Sequence, residues 1–85
     1  MKLYVNINGL TKITAFDDNN NIVFEKNCTY PEILNILDAV SQKYQAESFD
    51  KIYITGASKL TERLMNSMTP VFTKAMYCIE GGRKR

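Results

Sequence analysis

The chain has no histidine and no tryptophan, and only two cysteines and two prolines among its 85 residues. It also has no long apolar run, and each of these absences excludes something. Without imidazole there is no Ser-His-Asp or Cys-His pair, no histidine general base and no histidine-ligated zinc. Cys28 and Cys78 are too few for an all-thiolate zinc site, which takes four. No stretch of about 20 apolar residues offers a membrane-spanning helix. The opening Met1-Lys2-Leu3-Tyr4-Val5-Asn6 reaches polar residues too soon for a secretory signal. The expectation is a cytoplasmic chain with reduced thiols, no metal, no other cofactor and no membrane contact.

What is present suits one small domain. The chain is 45% hydrophobic, enough for one modest core at this length. The formal charge of +2 is unevenly placed. Gly81-Gly82-Arg83-Lys84-Arg85 carries three of the eleven basic residues, so the remainder has eight against nine acidic residues, a net of −1. A domain over residues 1–80 followed by a basic, flexible tail over 81–85 is expected. Arg83, Lys84 and Arg85 are candidates for gripping nucleic acid or an acidic partner, set against the reading of a solvated terminus.

Hydrophobic periodicity sets the elements. Leu3, Val5 and Ile7 alternate with Tyr4, Asn6 and Asn8, which predicts a strand over Lys2–Asn8. Asn8-Gly9 is a hairpin signal. A second strand follows over Thr11–Phe16, then a turn over the Asp-Asn run at 17–21, then a third strand over Ile22–Glu25. Thr29 and Glu32 have capping-box spacing, with Pro31 in the first turn. Ile33, Ile36, Leu37, Val40 and Tyr44 share one arc, which predicts a helix from Tyr30 to about Ala46. A fourth strand over Asp50–Thr55 ends in Gly56-Ala57-Ser58, where Ser58 can cap a second helix that carries Leu60, Leu64, Met65 and Met68 on one face. Residues 71–79 fit either period. A fifth strand is preferred because it completes the sheet; the alternative is a helix lying over the open sheet face. The fold class expected is α/β, bordering on α+β: a three-stranded antiparallel meander, then helix–strand–helix and a fifth strand in a mixed sheet.

Two segments carry a family resemblance. Val5-Asn6-Ile7-Asn8-Gly9-Leu10-Thr11 resembles the strand–turn–strand that presents an acid and a phosphate-binding turn in the ribonuclease H-like fold. Ile52-Tyr53-Ile54-Thr55-Gly56-Ala57-Ser58 resembles the strand–glycine–helix that approaches the nucleotide in the actin-like ATPases. The order of elements over residues 2–79 resembles that fold as well. The resemblance implies carboxylates that hold two metal ions, one on the first strand and one at the end of the fourth. Here Asn6 and Asn8 stand at the first place, and Thr55 and Gly56 at the second. An amide brings no charge to magnesium, and one lobe cannot close over a nucleotide. The expectation is a degenerate, non-enzymatic member.

Several candidate sites follow. If both helices cover the face with Leu3, Val5, Ile7, Ile13, Ile22, Phe24, Ile52 and Ile54, the other face presents Tyr4, Phe16, Val23 and Tyr53, among Thr14 and Thr55. Clustered aromatics on an open surface mark an interface. Gly56, Ser58 and Lys59 stand where a strand meets a helix, a place suited to anions, against the reading that the glycine makes the turn and the serine caps. Asp17 and Asp18 lack calcium-loop spacing and read as a hairpin tip. Met65 and Met68 read as core filling, and Cys28 as an inert thiol. The function expected is a non-catalytic module that docks a sheet face or edge on a protein or a second copy of itself, as in a small phage or mobile-element accessory protein that modulates a host machine. The alternative is a nucleic-acid-binding module that uses the basic tail and the aromatic face.

Overall fold

The computed structural model describes residues 1–80. Strand β1 (Lys2–Asn6) pairs antiparallel with β2 (Thr11–Phe16), and β2 with β3 (Ile22–Cys28). The first connection turns at Gly9, whose φ of 67° favours a residue without Cβ. The side-chain oxygen of Asn6 accepts the Asn8 N–H at 2.9 Å, so this amide serves the turn. In the second connection, Asp17 accepts the N–H groups of Asn19 and Asn21, both at 2.9 Å. Its carboxylate is therefore committed within the turn, as the hairpin-tip reading anticipates.

A single 3₁₀ turn over Tyr30–Glu32 leads into α1 (Ile33–Tyr44). Thr29 donates its N–H and its hydroxyl to Glu32 Oε1 at 2.9 and 3.0 Å, and the Glu32 N–H donates back to the Thr29 carbonyl at 3.0 Å, so the two residues predicted by their spacing close the helix start together. The α-helix is shorter than expected at both ends. It stops because Gln45 turns to a φ of 66°, and the Ser48 hydroxyl then donates to the freed carbonyls of Tyr44 and Gln45 at 2.6 and 2.7 Å.

Strand β4 (Lys51–Thr55) runs into α2 (Ser58–Met68) and then β5 (Met76–Glu80). Ala57, not Ser58, takes the cap position of α2, in extended backbone, and its carbonyl accepts the Thr61 N–H at 2.9 Å. Ser58 is already the first helical residue. The fifth strand exists but starts five residues later than expected, because residues 70–74 form turns. Those turns drive Phe72 into the core, where its ring meets Phe49 edge-on at 5.4 Å.

The sheet order is β3-β2-β1-β4-β5. β1 and β4 are parallel, and so are β4 and β5. Two reversals make β3 parallel to β1, so both helical connections, β3 to β4 and β4 to β5, are parallel crossovers that step the same way across the sheet. Right-handed crossovers stepping in one direction place their helices on one face. The burial agrees: Leu3, Val5, Ile13, Ala15, Ile52 and Ile54 form one core with Ile33, Leu37 and Val40 of α1 and Leu64 and Met68 of α2. The described residues thus form a single α/β domain of five strands and two α-helices, with both α-helices on one side of the sheet.

Candidate functional site

Period-two alternation sends every second strand residue to the face without helices. The register sets Glu25, Thr14, Tyr4, Tyr53 and Cys78 side by side across five strands, and Ile22, Phe16, Lys2, Lys51 and Met76 in the next row. Asn6, Lys12 and Thr55 belong to the row beyond Tyr4 and Tyr53. The Tyr4 and Tyr53 rings are stacked, with centroids 4.5 Å apart and planes at 19°. Phe16 meets Tyr4 edge-on at 5.2 Å and 72°. These rings, with Val5, Asn6, Lys12, Thr14 and Thr55, line a shallow groove of about 250 Å³. Tyr4 is 41% exposed, although it sits on the sheet's central strand.

The structure thus brings together three of the four residues expected on this face. Val23 is the exception. The register slips between Ala15 and Phe16: Ala15 faces Phe24, but Phe16 faces Ile22, so Val23 has no ladder partner. This β-bulge turns the strand by one residue. The carbonyl of Val23 accepts the Tyr44 hydroxyl at 3.0 Å, and Val23 does not line the groove. Ile22, assigned by alternation to the covered face, instead stands beside Phe16 on the open one and is 55% exposed. A bulge is not legible in a hydrophobic pattern, which counts residues as if each had a partner.

The electrostatics of the face are simple. Lys12 pairs with Glu25 at 3.0 Å. Asp18 and Asp50, near the Lys2 end, turn to the Met1 ammonium at 3.0 and 3.3 Å, which also donates to the Ser48 carbonyl at 2.6 Å. Burial alone would push that ammonium's pKa down. The hydrogen bonds and charges of the two aspartates outweigh it and raise the pKa above its usual value. Lys2 and Lys51 take part in none of the described ion pairs.

The second expected site sits elsewhere. Gly56 is buried at the β4–α2 junction with a φ of 150°, and a Cβ there would lie 2.3 Å from Ile7 Cγ1. Close packing against Ile7, just past the end of β1, therefore accounts for the glycine. Lys59 is exposed on the first turn of α2. Arg83, Lys84 and Arg85 lie outside the described residues. Cys28 is buried, and burial, then the nearby Glu32 carboxylate, pushes its thiol pKa up. That disfavours a reactive thiolate. A second groove, of about 220 Å³, runs between the start of α1 and α2, lined by Leu34, Arg63 and Ser67 among others. Nothing in the sequence spacing marked it, because it joins two helices distant in the chain. No helix is long and apolar enough to cross a membrane among the described residues.

The chain matches no protein-family model, no curated protein and no solved structure.

Proposed function

We propose that the protein is a non-catalytic docking module that binds another protein through the open face of its sheet. The observation that carries this reading is the Tyr4–Tyr53 stack, with Phe16 edge-on, on a parallel pair of strands that has no cover on that side. Parallel strands are nearly always covered on both faces. An aromatic cluster left open at the centre of such a sheet has the composition of an interface core, with the tyrosine hydroxyls available at its rim.

The geometry of the rings also favours protein over nucleic acid. Single-stranded nucleic acid binds by laying bases flat on exposed ring faces. Tyr4 gives one face to Tyr53 and meets Phe16 in a T-shaped contact, which leaves less ring face for a base to lie on. A cytoplasmic setting, the origin as a phage or mobile-element accessory protein that modulates a host machine, and kinship to the ribonuclease H-like fold belong to the same proposal. They rest on composition, size and the order of elements.

Two variants test it. Binding of a partner protein, followed by light scattering, should be lost in Tyr53→Glu and kept when Arg83–Arg85 are deleted. Steeply salt-dependent oligonucleotide binding that disappears with Arg83–Arg85 would overturn the reading in favour of nucleic acid.

A further inference from the structure

Lys2 and Lys51 face one another in register on neighbouring parallel strands, and both belong to the open face. Like charges directly opposite in a sheet are destabilising. The described ion pairs neutralise neither of them; Lys2 Nζ has only a long contact of 3.4 Å to Asn20 Oδ1. The carboxylates of Asp18 and Asp50 are held by the Met1 ammonium, and the charge of Asp50 acts on the neighbouring Lys51 without an ion-pair contact among those described. Phe16 flanks the pair on one side, and the 64% exposed Met76 on the other. The next row is the Tyr4–Tyr53 stack.

We infer that this twin-lysine row is the anion-recognising half of the docking face, and that its occupant is an acidic protein segment carrying an apolar or aromatic anchor. The inference rests on the docking reading above and gives its partner a chemistry. Carboxylates of the segment meet Lys2 and Lys51, and its anchor packs beside Tyr4, Tyr53 and Phe16. The same charges exclude a second copy seated face to face about a two-fold axis through this row, since each lysine pair would then meet the other. They also give the pair a role: its charge is more fully complemented in the complex than in the free chain.

The test is a titration of the ¹⁵N-labelled chain with a synthetic peptide of glutamates flanking one phenylalanine. A peptide with glutamine for each glutamate, and oligothymidylate, serve as comparison probes. The acidic peptide should shift amides of β1, β2 and β4. Its affinity should fall roughly tenfold in Lys2→Glu/Lys51→Glu and with rising salt, but stay unchanged in Lys43→Glu/Lys74→Glu, which alters net charge equally on exposed sites elsewhere. Lys51→Gln should weaken binding while raising the thermal midpoint, which separates recognition from folding damage. Equal affinity for the glutamine peptide, with loss in Tyr53→Glu, would overturn the acidic partner and leave the docking face standing. Absence of shifts with either peptide would overturn the acidic segment, and preferential binding of oligothymidylate would overturn the protein-docking reading as well.

Discussion

On the covered face of the sheet, Leu3, Val5, Ile13, Ile52 and Ile54 are aliphatic and packed under two helices; on the open face the same strands present Lys2, Tyr4, Asn6, Lys51, Tyr53 and Thr55. Each set is separated from the other by one residue along the chain. The first set holds the fold together through burial, at roughly 25 cal/mol per Å² of apolar surface removed from water. The open face makes ring–ring contacts, one lysine–glutamate pair and a few side-chain hydrogen bonds, and leaves Tyr4 and Met76 substantially in solvent. If the open face docks a partner as proposed, stability and recognition are divided between the two sides of one sheet. A substitution should reveal its side by which property it changes.

The largest effect is expected where the covered face is densest. Phe72→Ala removes a fully buried ring that meets Phe49 and should cost about 3–5 kcal/mol in urea unfolding, without changing the residues of the open face. A loss under 1 kcal/mol would mean that the turn at 70–74 does not insert into the core as described. Next comes Gly56→Ala, which places a methyl against Ile7 at a φ that L-residues rarely adopt. A loss of about 2 kcal/mol is expected. Ile7→Ala in the same chain should make the combined loss smaller than the sum, because it relieves the steric part. Tyr4→Thr keeps a β-favouring residue while removing one stacked ring, and should cost about 1 kcal/mol. If it costs as much as Phe72→Ala, the division between the faces fails.

The smallest effects are in the pH dependence of stability. Hydrogen bonds from Thr29 lower the Glu32 pKa, and the Met1 ammonium lowers that of Asp50. A lowered carboxylate contributes stability above its unfolded pKa and loses it as pH falls through the folded value. The urea midpoint should therefore drop on the acid side, and Thr29→Ala should shallow that drop. The raised Met1 ammonium has the opposite sign. Its contribution is full below its unfolded value and is lost as pH rises through the folded one. Asp50→Asn should flatten both limbs slightly. Unchanged limbs would show that these ion pairs do not persist in solution.

Much of this arrangement is written in the sequence, residue by residue. The alternation of Leu3, Val5 and Ile7 with Tyr4 and Asn6 determines a strand and its two faces, because side chains leave a strand on alternate sides. Thr29 and Glu32 determine where the helical segment begins, because their groups satisfy donors that a helix start leaves free. The missing histidine excludes imidazole chemistry on composition alone.

Other features depend on contacts between distant segments. The bulge at Phe16 and Ile22 moves Val23 out of the aromatic groove, since a ladder slip is a property of two strands and not of one. The ambiguous stretch after Pro70 becomes turns and then a strand because Phe72 finds Phe49 across the core and residues 76–80 find the free edge of β4. Both helices lie on one face because the two crossovers step in the same direction. That placement leaves Tyr4 and Tyr53 uncovered, and the parallel register of β1 and β4 sets Lys2 beside Lys51. The composition supplied the tyrosines and lysines, and the tertiary structure made them one surface, because burial and register join residues that the chain keeps nearly fifty positions apart.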